Sequence, residues 1–560
     1  MIKRSLVCGL LLATLTACDN PLAITNDNTP DRERVFGSPK DLEVFVSGLF
    51  AILNQATIGG SNDGMQTQFY VMAMENNSNL ANFAMSPRGA LPRSPIVNNR
   101  GGTGSAGVYH DWFRLHRAAR QSMLALEALG TLSLGSTAAD DRARAFAWLV
   151  HGAATGYLSM SYDSAGITSV ADNSQAGGGG TVPLSHYSAV NAAGLASLDS
   201  AIAIAQAGSI SIPVAANFWF NDVAMTTTQF VALARSYKAL IRASVARTPA
   251  ERAAVDWAEV IADANAGITA DFAPKMDPTN GWDVSWVVQA FATGSANWHQ
   301  SSGFWLGMGD SSGAYDAWLA TPLANKATIT IVTKDRRLPT GATRSAQQST
   351  TNNPGTGSAG QAFANTPYFR NRPSGEDQDA APLQGSQYDF WRSRQFRQAN
   401  RIGPYPIMTA AQIRLLAAEG YFRQGNFTEM INRVNVTRRS KGIIDSIPNV
   451  IADTATQVPG GAGCVPRVPD VATSFQSTKC GNVWDALKWE YRLETAFTGY
   501  GNWYFASRGW GDLPEGTALH APVPWQEMDS RAQAFYPLGG VGAPGGAAAG
   551  NYGLFAGGLY

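Results

Sequence analysis

Apolar residues recur at three- and four-residue spacings through most of the chain up to about position 270 and again from about 405 to 510. Such spacing lines one face of an α-helix. Ser38-Pro39-Lys40-Asp41 predicts a helix start, with Ser38 as N-cap and Pro39 at the first helical position. Over Leu42–Leu53, the residues Phe45, Leu49 and Ile52 then share a face. A longer helix is predicted from about Tyr109 to Leu129, with Trp112, Leu115, Ala119, Leu126 and Leu129 inward. Thr137-Ala-Ala-Asp140 opens another that runs to about Met160. Further helices are expected over Ala189–Ala207, Thr228–Arg247 and Ala250–Ala266, the last opened by the capping-box pattern Thr248-Pro249-Ala250-Glu251. The rhythm returns at Thr409-Ala-Ala-Gln412, which opens a helix to about Arg423. A turn at Gly425 and Asn426 leads to a partner ending near Ser440, and one more helix spans about Val483 to Phe497. Each such hairpin is too small to bury its apolar face alone, so the fold class is mainly α, with tetratricopeptide-like helical hairpins stacked into one core.

Residues ~270–405 lack helical rhythm, and Thr328–Val332 is the clear strand-like run there. Asn98–Gly107, Gly177–Gly180, Ser349–Gly360 and Leu538–Gly550 are rich in Gly, Ser or Ala and read as loops. The organisation expected is a signal peptide at 1–17, a tether at 18–37 and one domain over 38–560. Its helical scaffold occupies about 38–270 and 405–510, with a loop-rich, ligand-side region over about 270–405.

The tether follows from the amino terminus. Lys3 and Arg4 precede an apolar run from Leu6 to Leu15, in the length range of a secretory signal and too short to span a bilayer. Leu15-Thr16-Ala17-Cys18 has the form of a lipobox, in which small residues admit the peptidase and the Cys18 thiol accepts diacylglycerol. Membrane attachment is expected through lipid alone.

Formal net charge is zero and only 15% of residues are charged, against roughly 25% in typical soluble domains. That balance gives no electrostatic case for a nucleic-acid partner. After Cys8 leaves with the leader and Cys18 is lipidated, Cys464 and Cys480 remain. Paired, they would close a loop worth about 3 kcal/mol in chain entropy. Two thiols or half of a metal site are the alternatives, but no CxxC or neighbouring histidine supports zinc. No metal and no cofactor are expected.

Four stretches then bring a family into view. They are Arg142-Ala-Arg-Ala-Phe-Ala-Trp-Leu149 with Tyr162-Asp-Ser-Ala-Gly166, and Phe230-Val-Ala-Leu-Ala-Arg-Ser-Tyr237 with Trp257-Ala-Glu-Val-Ile261. The third is Arg414-Leu-Leu-Ala-Ala-Glu-Gly-Tyr-Phe-Arg-Gln-Gly-Asn426 with Ile431-Asn-Arg-Val-Asn435 and Arg438-Arg439. The fourth joins Glu490-Tyr-Arg-Leu-Glu494, Gly499-Tyr500, Arg508-Gly-Trp-Gly511 and Pro522-Val-Pro-Trp-Gln-Glu527. In this order behind a lipobox, the chain resembles the SusD/RagB family of outer-membrane nutrient-binding lipoproteins. The resemblance implies a SusD-like fold with about four tetratricopeptide-like units. It also implies a surface-facing place at the outer membrane, a TonB-dependent SusC-like barrel as partner, and an oligosaccharide or other small nutrient as ligand. Asp19 departs from the pattern, since in some bacteria an Asp after the lipidated cysteine retains the protein at the inner membrane.

For ligand contact, six of the 15 tryptophans fall between Trp257 and Trp318. Pyranose rings present apolar C–H faces on which flat aromatic side chains stack, with amides satisfying the hydroxyls. Trp282, Trp286, Trp298, Trp305 and Trp318, with Asn297, are the candidates, alongside His299, Gln300 and Asp310; Trp257 belongs to a helix and reads as core. A second candidate is Glu75-Asn-Asn-Ser-Asn79, with Asn76 and Asn79 as contacts and Asn82 and Phe83 nearby. The competing reading packs the rings against the scaffold and leaves the polar run as a solvated loop. Enzyme chemistry has less to offer. Gly309-Asp-Ser311-Ser-Gly313 fits the nucleophile-elbow pattern but lacks its strand and helix. Glu490 and Glu494, one turn apart, read as a salt-bridged face near Lys488 and Arg492 rather than an acid–base pair. A secreted hydrolase and a protein-binding helical adaptor are the alternative functions.

Overall fold

The computed structural model describes residues 36–59, 64–78, 84–101, 106–174, 181–284, 300–349, 367–373 and 386–554. The leader with Cys18, the run Gly177–Gly180 and most of Ser349–Gly360 lie outside those residues.

Helices α1 (Pro39–Ser47) and α2 (Leu49–Ala56) meet at Gly48, and Ser38 Oγ caps the first by accepting the Asp41 N–H at 3.2 Å. After α3 (Met65–Met72) and α4 (Met85–Gly89) come the long elements α5 (Ala106–Ala128), α6 (Thr137–Ser161), α7 (Tyr187–Gly208) and α8 (Thr227–Ser244). The cap of α6 is Ser136, one residue ahead of the expected Thr137. Thr226 and Gln229 form a reciprocal capping box on α8. By length and composition α7 could cross a membrane, but it lies against both α6 and α8 as a core helix.

The stretch expected as one helix over Ala250–Ala266 is two, α9 (Pro249–Ala253) and α10 (Trp257–Asn265). Thr248 accepts the Glu251 N–H, yet the Glu251 carboxylate takes the Arg247 N–H and the capping box stays half-formed. Asp256 then restarts the helix by accepting from Glu259 N–H, a local bond that competes with continuing the first helix. Between 270 and 405 the described helices are short: α11 (Gly303–Gly307), α12 (Ala314–Ala320), α13 (Arg344–Gln347) and α14 (Arg394–Gln398). The scaffold resumes with α15 (Ala410–Arg423), α16 (Phe427–Thr437), α17 (Val483–Thr495), α18 (Asn502–Trp510) and α19 (Trp525–Ser530). In space α5 packs on α6, α6 on α7, α7 on α8, α8 on α10, α10 on α15, and α15 on both α16 and α17. Each apolar face is thus covered by the next element, as in stacked helical hairpins.

Close approach sets this stack. A Cβ on Gly194 of α7 would stand 2.9 Å from the Gly156 nitrogen of α6, and one on Gly156 would stand 2.2 Å from Ile241 Cδ1 of α8. The helix ends are held by buried cations. Arg247 donates to the carbonyls of Ser159, Met160 and Tyr162 at the end of α6, at 2.6–2.9 Å, and Arg508 donates to Ser244 O at the end of α8 at 2.8 Å. These carbonyls have no partner within their helices, and a cation suits the negative end of the helix dipole.

Strands are two or three residues long and form five antiparallel pairs among the described residues. β1 (Asn76–Asn77) pairs with β5 (Gln300–Ser301), β2 (Ser164–Gly166) with β3 (Leu184–His186), and β4 (Lys275–Met276) with β8 (Gly403–Pro404). β6 (Phe369–Asn371) pairs with β7 (Tyr388–Phe390), and β9 (Arg467–Pro469) with β10 (Thr478–Cys480). The expected strand Thr328–Val332 is none of these. Its backbone is claimed by side chains instead: Tyr388 Oη and Asp310 Oδ1 accept from Ile331 and Val332, while Gln347 and Gln387 donate to Ile331 and Ile329. Cys464 and Cys480 form a disulfide with Cα atoms 5.8 Å apart, closing the loop that contains the β9–β10 hairpin.

Gly194→Ala is expected to destabilise the protein by about 1–3 kcal/mol in urea unfolding, because the clash with helix backbone outweighs alanine's better helix propensity. His151 gives a second expectation. Its ring lies buried between Ser197 Oγ (2.9 Å) and Thr168 O (3.2 Å), and burial pushes its pKa down from 6.5 to about 4. Between those values the unfolded chain binds the extra proton. Stability is therefore intact above pH 6.5 and falls as pH drops toward 4, by up to about 3 kcal/mol from this residue. Urea midpoints across that range should show a shallower slope in His151→Gln than in the parent protein.

Candidate ligand-binding site

Two segments singled out far apart in the sequence meet in the fold. The run Glu75–Ser78 follows α3, and its strand β1 pairs with β5 in the register Asn76↔Ser301 and Asn77↔Gln300. Ser78 and Gln300 therefore sit at the same end of one ladder, where segments 79–83 and 285–299 join the described chain. The ladder continues sideways. Ser302 N–H donates to Glu75 O at 3.3 Å, Gln300 Oε1 accepts from Ser386 N–H at 3.4 Å, and β5 lies beside β7, which pairs with β6.

This floor is polar and buried. Asn76, Asn77, Ser78, Gln300, Ser301, Ser302, Asn371, Ser386 and Gln387 are each at most 5% exposed. A buried polar layer is the informative exception in a protein interior. Much of it is internally satisfied: Tyr388 Oη and Asn371 Nδ2 donate to Gln347 Oε1 at 2.7 and 2.8 Å. Asn77 Nδ2, Ser301 Oγ and Ser302 Oγ have no hydrogen-bond partner among the described residues. Each unmatched buried polar atom costs about 1–3 kcal/mol. Burial pushes the Glu75 carboxyl well above the ordinary carboxylate range, against the opposing bond it accepts from Phe497 N–H at 2.5 Å.

Below the floor, Arg337 joins the loop-rich region to the scaffold. It forms forked pairs with Asp335 (2.9 and 2.7 Å) and Glu490 (2.6 and 2.8 Å), and reaches Glu494 at 3.1 Å. Its carbonyl accepts from Tyr368 and Phe369 N–H, at the entry to β6. Arg438 and Arg392 stand 3.7 and 3.8 Å from Glu490 and Glu494, so three arginines face three carboxylates. Burial alone would raise the Asp335 carboxyl, but the charge and hydrogen bonds of Arg337 hold it below the usual value. Glu490 and Glu494 are thus structural, as expected, but with different partners. Lys488 and Arg492 both turn to Asp512, at 3.1 and 2.5 Å.

Three expected ligand rings are corrected. Trp282 is 1% exposed and stacks on Phe50 at 6.2 Å. Trp305 is 2% exposed; its indole N–H donates to Ala73 O at 3.1 Å, and the Arg492 guanidinium covers its face at 3.6 Å. Trp318, also buried, stacks on Tyr315, and Lys326 lies over its ring at 4.2 Å. All three weld loops to the scaffold, with their apolar faces spent on packing. Asn76 is likewise inside, as part of the floor and not as an exposed contact. Asp310 accepts from Tyr315 and Val332 N–H and from Ser312 Oγ, so it organises its own turn. Ser311 donates to Val332 O in that turn between α11 and α12, with no strand before it, so the nucleophile elbow is not formed. Trp286, Trp298, Asn297, His299, Asn79, Asn82 and Phe83 lie outside the described residues. Among the described residues no group of three His, Cys, Asp or Glu could hold a metal ion. Asn77, Ser301 and Ser302 were missed as individual floor residues. Adjacent polar positions that bracket a tryptophan-rich loop were the available signal.

With fold and floor in place, the class of the architecture follows. No family model matches the chain, and no curated protein matches it. Solved structures do. A SusD superfamily protein from Bacteroides vulgatus ATCC 8482 is 13% identical, with 88% of this chain and 90% of that one aligned at a TM-score of 0.51. One from Bacteroides thetaiotaomicron VPI-5482 is 9% identical over 90% and 94%, with a TM-score of 0.51. One from Parabacteroides distasonis ATCC 8503 is 11% identical over 88% and 97%, with a TM-score of 0.52. The chain has the SusD-like fold.

Arg337→Met is expected to cost about 3–5 kcal/mol in urea unfolding, because it strands three carboxylates without their shared cation. Returning most of that stability by adding Glu490→Gln and Glu494→Gln would tie the loss to those charges.

Proposed function

We propose that this protein is a non-enzymatic, lipid-anchored receptor of the outer membrane, which captures a neutral oligosaccharide and passes it to a TonB-dependent SusC-like barrel. The observation that carries the reading is the β1–β5 ladder, whose end brings together the chain leading to Asn79 and the chain leading to Asn297 and Trp298. The SusD-like fold and the lipobox at Cys18 support it. The low charge of the chain suits an uncharged ligand. Trp286 and Trp298 supply the stacking faces in this reading, and Asn79 and Asn297 the polar contacts.

Calorimetry of the detergent-solubilised lipoprotein against a panel of neutral oligosaccharides tests it. Trp286→Ala or Trp298→Ala should weaken binding at least ~10-fold, about 1.4 kcal/mol, with an unchanged thermal midpoint. No binding by the parent protein to any panel member would sink the reading.

A further inference from the structure

A recess that shares no lining residue with the polar floor lies along α5. It encloses about 440 Å³, within the ~300–1,000 Å³ of small-molecule sites. One wall is aromatic: Tyr109 and Phe113, one helical turn apart, stack at 5.9 Å with ring planes 28° apart, and Phe113 is 49% exposed. The other walls are cationic. Arg117 and Arg120 come from the same helix and Arg531 from the C-cap of α19, with Glu527 as the carboxylate of the lining. Arg531 is committed to Glu527 at 2.7 Å and to Val182 O, and Arg120 donates to Asp172 O. Arg117 is exposed and has no ion pair or hydrogen bond among the described residues. His116 is no cation here: burial pushes its pKa down to about 4, and its ring nitrogens are engaged by Trp112 O and Gly166 N–H.

We propose that this recess binds an acidic sugar unit, a hexuronate within an oligosaccharide, as a site separate from the one that takes the neutral ligand. The aromatic shelf suits the C–H face of a pyranose, and the Arg117 guanidinium fork suits its carboxylate. A flat aromatic acid fits less well. It is apolar on both faces, whereas the recess lining also includes the Thr181 hydroxyl, which suits a ring hydroxyl.

Trigalacturonate is the probe, with its fully methyl-esterified form as the uncharged control and 4-hydroxybenzoate as the aromatic acid. Calorimetry on the intact lipoprotein should show trigalacturonate binding that weakens as salt is added, with at least tenfold weaker binding of the ester. Phe113→Ala and Arg117→Ala, both exposed positions, should each weaken it at least tenfold at an unchanged thermal midpoint, while Trp286→Ala leaves it intact. Absence of trigalacturonate binding, equal binding of the ester, a preference for 4-hydroxybenzoate, or indifference to both recess substitutions would overturn the site. Trigalacturonate binding without any neutral ligand would overturn the proposed receptor function for neutral sugars and leave the recess standing.

Discussion

Arg337 stands where an irregular stretch of chain meets a helical scaffold, and the placement of the candidate site depends on what it holds. Its guanidinium spans Asp335 on its own loop and Glu490 and Glu494 on α17, while its carbonyl receives the chain entering β6. Trp489 from α17 adds an indole N–H to Asp335 at 2.9 Å. Apolar packing is non-directional and would tolerate a loop in several orientations. Forked arginine–carboxylate pairs have set angles, so the cluster fixes which way β6 and β7 face, and β7 in turn flanks β5. The matched cations and carboxylates offset the cost of desolvation at Asp335 and Arg337, while at Glu490 and Arg438 burial remains the larger cause, raising the one pKa and lowering the other.

The scaffold beneath is held by a different economy of contacts. Glycines at the α6–α7 crossing bring backbones together, and buried arginines occupy the ends of α6 and α8. Burial lowers the pKa of both Arg247 and Arg508, and the Arg508 charge lowers that of Arg247 further. Their charge is spread over peptide carbonyls and over the rings of Tyr187 and Phe505, at 4.0 and 4.8 Å. Rigid ends and tight crossings let the helices serve as a fixed base for irregular segments.

The helical part was legible because its information is local. Caps at Ser38, Thr248, Thr409 and Asn426 and the inward faces around Trp112 and Phe146 are written in short stretches of chain. The breaks were less so, since Asp256 ends one helix and starts another by a single side-chain bond. The polar floor was half legible. Glu75–Asn79 and Gln300 stood out by composition, but a ladder of two residues per strand has no periodicity to announce its partner. Arg337 could not be found as a junction, because Glu490 and Glu494 lie more than 150 residues away.

Trp282, Trp305 and Trp318 are the instructive error. A weakly charged chain with long loops has many backbone carbonyls that no regular ladder satisfies, and each buried one needs a donor. An indole meets that need while burying a large apolar face. Trp257 donates to Arg252 O, Trp305 to Ala73 O and Trp503 to Arg492 O, and Trp510 reaches the buried Glu419 carboxylate. Abundance of tryptophan in loop-rich sequence therefore measures how much irregular backbone must be pinned down. It does not by itself measure how much aromatic surface is offered to a ligand. The surface that Tyr109 and Phe113 present on α5 makes the same point from the other side. Phe113, on the outward stripe of a regular helix with an arginine a turn away, is exposed because nothing in the packing requires it, while Tyr109 beside it is half-buried against the core.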